Sequence, residues 1–368
     1  MKRSQDVIKN DLEYICANLQ KEFGCLSGKK LLITGGAGFL GYYLIHSLLH
    51  WNESATGNQR IQVTVFDNFI RGVPPWMKEV HEDLTITRHD LNHPLPPDMG
   101  DFQFIMHAAS IASPTYYRKY PLETMDANVN GLRSILEYCR KQKEKRKEIE
   151  GIIFYSSSEI YGDPQPEHIP TPETYNGIVS CIGPRACYDE SKRYGETLCV
   201  NFVKQFDLPV KIVRPFNNYG PGLKITDRRV ISDFAGDILG GRDVAVLSDG
   251  APTRTFCYVA EAMIGYYKVL LKGRSGEAYN IGIEEPEISI QELAERMVAV
   301  SRELFGYRGK VVHKKSPDQD YLIHNPSRRC PSIAKARSEL DYRPSISLDE
   351  GLRRSLIWYA DHPVAEEA

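Results

Sequence analysis

Residues 29–51 read KKLLITGGAGFLGYYLIHSLLHW, and the architecture of the chain follows from them. KKLLITGG reads as a short apolar strand running into glycine, and GFLGYYLIHSLLHW reads as a helix that begins inside the glycine run. Glycines at 35, 38 and 41 give the pattern G-x-x-G-x-x-G. Backbone without Cβ atoms can turn tightly there and let a pyrophosphate lie on the helix N-terminus, where unpaired N–H groups and the helix dipole favour an anion. A glycine triplet alone is weak evidence; the strand before it and the helix after it are the context it needs. Gly35, Gly38, Phe39, Leu40 and Gly41 are therefore the candidate phosphate-side residues.

Beyond this loop the alternation continues. QVTVFDN is a second strand, ending at Asp67-Asn68, with Asp67 26 residues beyond Gly41. A carboxylate at that place can hold both ribose hydroxyls of an adenosine and repels a 2′-phosphate, which predicts NAD over NADP, with Arg71 as a small counterweight. Asp90-Leu91 borders the adenine on this reading, or is an ordinary strand end; Ala108 supplies a small residue where the cofactor passes, or simply packs. FQFIMHAA, GIIFYSSS and VKIVRPFN are further buried strands, with helices around 121–140 and 188–206. Continuous apolar strands alternating with helices predict the α/β class, a Rossmann-like doubly wound parallel sheet with a smaller mixed α/β C-terminal substrate-binding part. Residues 1–28 read as a helical extension that docks or makes an oligomer contact. Residues 29–217 read as the NAD-binding domain, with a return around 255–282 where AYNIG resembles a strand, and 218–368 as the substrate-binding part. RKQKEKRKEIE (140–150) reads as a solvated helix end, and Ser289 with Glu292 and Ser347 with Glu350 as capping boxes.

Composition narrows the partners. Over 368 residues, 42% apolar content suffices for a buried core, and 46 basic against 48 acidic residues leave none of the basic excess that nucleic-acid binding imprints. Eight cysteines form no C-x-x-C pair, so no metal site is expected. No signal-peptide core and no membrane-length apolar run are visible, which predicts a soluble cytoplasmic protein without a membrane partner.

Tyr188 and Lys192, four apart in CYDESK, share one helix face. An ammonium near a phenol favours the phenolate, which can take a proton from an alcohol as hydride leaves for a nicotinamide. A strand-borne Ser156-Ser157-Ser158 lies about 30 residues upstream, which makes chance a poor account of the pair.

With these motifs the sequence resembles the extended short-chain dehydrogenase/reductase family from about residue 29 to 360, most of all its UDP-glucuronate decarboxylase group. SSSEIYGDP (156–164), IGPRACYDESKRYGET (182–197), RPFNNYGP (214–221), TRTFCYV (253–259), RRCPSIAKAR (328–337) and IASPTYYRKYP (111–121) carry the resemblance. It implies oxidation of a sugar C4 with Tyr188 as base and Ser157 on the same oxygen, CO2 loss from the resulting β-keto acid, and re-reduction, with NAD held throughout. It implies a carboxylate from Glu159 near C5 and C6, no strong acid from Ser158 where related dehydratases have one, and Arg329 near the reacting carboxyl end or, more simply, in a surface ion pair. Asn217, Arg229 and Arg254 would take the diphosphate of a nucleotide sugar, a UDP-sugar above all, and Tyr117 would line the sugar or pack in the core. A homodimer through the helices around 121–140 and 188–206 is the family expectation. Ile111-Ala112-Ser113-Pro114, Asp126-Ala127-Asn128 and Gly220-Pro221-Gly222 depart from the group's usual pattern. A 4-epimerase or 4,6-dehydratase stays open, as does a catalytically silent NAD-binding regulatory protein.

Overall fold

The computed structural model describes residues 2–147, 149–316, 323 and 325–362; parts of the 218–368 segment, at 317–322, 324 and 363–368, lie outside the described residues. Helices α1 (Lys2–Asn18) and α2 (Gln20–Leu26) precede β1 (Lys30–Thr34), α3 (Phe39–Asn52), β2 (Gln62–Asp67), β3 (Leu84–Arg88) and β4 (Phe104–His107). There follow α4 (Pro114–Lys119), α5 (Pro121–Asp126), α6 (Leu132–Glu144), β5 (Gly151–Tyr155), α7 (Ala186–Phe206), β6 (Val210–Pro215), α8 (Val230–Leu239), α9 (Val259–Lys272), β7 (Ala278–Ile281), α10 (Ile290–Phe305), α11 (Ala334–Leu340) and α12 (Leu348–Asp361).

The seven strands form one parallel sheet in the order β7-β6-β5-β4-β1-β2-β3, the doubly wound arrangement extended by one strand. Alternate residues of β1 feed opposite faces. Leu31 and Ile33 join the core beneath α1, α3 and α9, while Leu32 joins the one beneath α6 and α7. The order reverses between β1 and β4, and a crevice opens there at the carboxyl ends of the strands.

The N-terminal extension docks on its own chain. Ile15, Leu19 and Phe23 are fully buried, and α1 packs on α3, α9 and α12. Asp11 accepts hydrogen bonds from Tyr43, Tyr258 and Arg354 at 2.6–2.7 Å, which satisfies a carboxylate that would otherwise be costly to bury. The charge-dense run at 140–150 falls at the end of α6, as expected of a solvated helix end. AYNIG supplies β7, on the edge of the main sheet next to β6. Ser289 and Glu292 close both halves of their capping box, at 3.0 and 2.8 Å. The second box closes only half-way: the Glu350 amide donates to Ser347 at 3.3 Å, but the Glu350 carboxylate turns to Arg354 at 2.7 Å, where a guanidinium outcompetes a neutral amide.

The smaller part is built from short ribbons. Thr253–Arg254 runs between Ile288–Ser289 and Arg328–Arg329, and this register sets Arg329 directly opposite Arg254. α5 continues into α6 through a π turn at Ala127–Gly131, whose buried Asn128 donates to Ser191 on α7 at 2.9 Å. The two cation-bearing ribbons and the braced helix α7 meet over the crevice.

Candidate active site

A cavity of ≈ 830 Å³ lies at the switch point. Every cofactor-side residue selected from the sequence lines it: Gly35, Gly38, Phe39, Leu40, Gly41, Asp67, Asn68, Asp90, Leu91, Ala108, Tyr188 and Lys192. The loop has to be glycine at two positions. Gly35 has φ +76°, and a Cβ there would sit 2.6 Å from the Ala109 Cα; at Gly41 a Cβ would lie 2.4 Å from the Gly36 carbonyl oxygen. Asp67 holds the loop, accepting the Ala37 amide at 2.9 Å and the Phe69 amide at 2.7 Å. Burial raises its pKa and these two amides lower it, with burial the larger effect. The Asn68 amide reaches Asp90 at 3.3 Å, which joins the ends of β2 and β3 along the same wall. Arg71, the counterweight to the NAD reading, turns away: its guanidinium pairs with Asp227 and lies 4.5 Å over the Tyr116 ring. These residues fit a dinucleotide whose ribose is met by a carboxylate, in a cradle that side chains at 35 and 41 would fill.

Tyr188 stands in the first turn of α7, its ring stacked on that of Tyr117 at 5.1 Å and 13°. Burial pushes its phenol up to about 12, against a hydrogen bond from Ser157 that lowers it. Lys192 is on the same face, 5.7 Å from the Tyr188 ring, but its ammonium donates to the Tyr155 carbonyl at 2.8 Å. Burial pushes that ammonium down to about 7. The expected lowering of the phenol by direct pairing with Lys192 is thus not met: one turn further along α7, the lysine meets the unpaired carbonyl at the end of β5 first. Ser157 extends from the end of β5 and its hydroxyl accepts the Glu159 amide at 3.2 Å. Ser156 donates to Glu196 at 2.5 Å.

Glu159 sits between two guanidiniums, paired with Arg329 through one oxygen and with Arg185 through the other. Burial alone would raise its pKa, but Arg185 and Arg329 outweigh it and hold the carboxyl at about 2. Arg185 also approaches Asp189 at 3.5 Å, and burial together with the Glu159 charge pushes Asp189 above the usual carboxylate range. Ser158 is buried, with its hydroxyl 3.4 Å from Arg329.

The substrate-side selections meet in the same cavity, with different partners. Arg229 pairs with Asp227 at 3.0 Å. The Arg254 guanidinium is capped by the Pro326 and Thr253 carbonyls at 2.6 and 2.7 Å, and burial, then repulsion by Arg329, lowers its pKa to about 10. Asn217, at φ +41°, ties its amide to the Thr255 carbonyl at 2.9 Å. Tyr117 is 1% exposed, and its hydroxyl lacks a hydrogen-bond partner among the described residues. Arg329 is 3% exposed and, unlike the rest, does not reach the cavity wall. The strand register sets it beside Arg254, and its guanidinium pairs with Glu159. Two residues that sequence reasoning passed over belong to the site. Arg185 lies in the quoted PRAC segment, three residues before Tyr188, where helical spacing was the available signal. Asp227, which holds both Arg71 and Arg229, gave no local signal. Among the described residues no cluster of three His, Cys, Asp or Glu side chains can hold a metal, and no helix is long and apolar enough to cross a membrane.

Comparison with known proteins bears on the family and the fold. The model of the NAD dependent epimerase/dehydratase family matches residues 31–282. UDP-glucuronic acid decarboxylase 5 of Arabidopsis thaliana is 35% identical over 331 residues, 89% of this chain and 88% of that protein. UDP-glucuronic acid decarboxylase 1 of Xenopus tropicalis is 34% identical over 335 residues, 90% of this chain and 72% of that protein. Among solved structures, the UDP-glucuronic acid 4-epimerase of Bacillus cereus, in complex with UDP-glucuronic acid and NAD, has a TM-score of 0.72 at 24% identity and covers 91% of this chain and 100% of its own. The UDP-glucose 4-epimerase of Thermotoga maritima, with UDP-glucose, has a TM-score of 0.75 at 22% identity, covering 90% and 99%. At these identities the two structures speak to the fold.

Proposed function

The chain belongs to the NAD-dependent epimerase/dehydratase family, and from that premise we propose that it is a decarboxylase of a UDP-hexuronate, of the type that converts UDP-glucuronate to UDP-xylose. NAD, held by the Gly35–Gly41 loop and Asp67, would supply a hydride acceptor for C4 and a donor for its re-reduction. Tyr188, as the phenolate that the positive charge of a bound nicotinamide ring would favour, takes the C4 hydroxyl proton, and Ser157, hydrogen-bonded to the same phenol oxygen, orients it. The 4-keto sugar is then a β-keto acid. When the C5–C6 bond breaks, its electron pair passes to the C4 oxygen, where Tyr188 and Ser157 stabilise the enolate and CO2 departs; C5 then takes up a proton from water.

The choice of outcome rests on Glu159. Expulsion of a C6 hydroxyl needs a neutral acid, and Glu159, ionised between Arg185 and Arg329, has no proton to give. Ser158 does not replace it. The same cluster of guanidiniums suits a substrate that brings its own carboxylate. Release of CO2 from UDP-glucuronate by the NAD-loaded protein tests the reading, and a protein that releases none under turnover conditions contradicts it.

We further propose a homodimer built on the outer faces of α5 and α7. Leu122 and Met125 on α5 and Tyr194 on α7 are 71%, 43% and 48% exposed, an apolar set that a second copy of the same helices would cover. Sedimentation is expected to give a dimer for the native chain and a monomer for Leu122→Glu; a native chain that sediments as a monomer rules this assembly out.

A further inference from the structure

The role of Arg185 rests on the decarboxylase reading, in which the substrate brings a C6 carboxylate into the cavity. Arg329 is the arginine that the resemblance assigns there, yet it does not line the cavity: its terminal nitrogens are on Glu159, 3.4 Å from Ser158 Oγ and 3.2 Å from the Gly162 carbonyl, and its Nε is buried without a partner among the described residues. Arg185 is on the wall itself. It precedes the first residue of α7 and lies three residues before Tyr188, so it projects on the same side as the phenol. One of its terminal nitrogens pairs with Glu159, and Nε is 3.5 Å from Asp189, too long for a strong bond. Its other terminal nitrogen, Nη1, has no hydrogen-bond partner among the described residues and is not buried.

Three guanidiniums, Arg185, Arg254 and Arg329, gather around Glu159, with Asp189 at 3.5 Å from Arg185 as the next carboxyl group. A hexose would add no charge to this cluster, whereas a uronate adds a carboxylate that a guanidinium can accept. We propose that Arg185 receives the C6 carboxylate and sets the preference for a uronate over a neutral hexose, while Arg329 acts as a positioning residue that fixes Glu159.

The test compares dissociation constants of UDP-glucuronate and UDP-glucose for the full-length, NAD-loaded protein and for Arg185→Gln, Arg185→Lys and Arg329→Gln. The expected result is a loss of about tenfold or more in UDP-glucuronate affinity for Arg185→Gln, with UDP-glucose affinity unchanged within about twofold and partial recovery in Arg185→Lys. Arg329→Gln keeps the uronate preference. The proposal is overturned by equal losses for both ligands, by a preference that survives Arg185→Gln, or by a preference that disappears with Arg329→Gln instead. Loss of cooperative unfolding in both Arg185 variants also counts against it, since the residue's work would then be structural. A native protein that discriminates through Arg185 but releases no CO2 would defeat the reaction proposed above and leave this assignment standing.

Discussion

Tyr188→Phe is expected to bind NAD and nucleotide sugar as the native protein does and to turn over about 10²–10⁴-fold more slowly. The substitution deletes one oxygen. The ring still stacks on Tyr117 at 5.1 Å, and the cavity wall around it keeps its shape. What disappears is the group that accepts the C4 proton and later stabilises the enolate oxygen. Both are interactions of the transition state, so kcat should fall while KM stays close to its native value. Ser157 cannot take over: its hydroxyl accepts the Glu159 amide at 3.2 Å and has no base behind it to remove a proton. Turnover of the Tyr188→Phe protein within a few-fold of native would take the phenol out of the mechanism.

The second large effect is expected at Glu159. In Glu159→Gln the charge between Arg185 and Arg329 is gone, leaving two guanidiniums without their shared anion. Turnover should drop about 100-fold or more, because the carboxyl end of the cavity loses the arrangement that orients the substrate. Stability should fall as well, by about 1–3 kcal/mol at pH 7. The pH dependence distinguishes an ion pair from simple packing. Because the folded-state pKa of Glu159 is depressed, to about 2, its contribution is fully present above the ordinary glutamate pKa and is lost as pH falls towards the folded value. The stability gap between native protein and Glu159→Gln should therefore be wide at pH 7 and narrow progressively from about pH 4.5 towards pH 2. In the neutral range the pH–rate profiles of the two should share one shape. A loss of activity with rising pH in the native profile that is absent from the variant's would make Glu159 a proton donor, which is the chemistry of a dehydration.

Much of the fold and the site is legible in the chain alone, for a physical reason. The glycine loop, Asp67 and the 188/192 pair are local features: each depends on a few residues close in sequence whose backbone path is set by strand and helix patterning, and all of them line one cavity. What sequence reasoning missed is set by long-range pairing. Arg71 and Arg229 stand far apart in the chain and share Asp227. The resemblance places Arg329 near the carboxyl end, but the carboxylate it takes, Glu159, lies 170 positions away in the chain and is brought to it only by the fold. Lys192 shows the same limit at short range, since helix spacing puts it on the right face but the carbonyl it meets comes from β5. Residue type and spacing say which groups can do chemistry, while the partner each one takes is decided by the fold.

Decarboxylation and epimerisation part at the product, so the mass and C4 configuration of what the NAD-loaded protein forms from UDP-glucuronate decide between them. A UDP-pentose, with the hexuronate's carboxyl carbon recovered as CO2, is the predicted result. A UDP-hexuronate of unchanged mass with C4 inverted would contradict it and make the protein an epimerase.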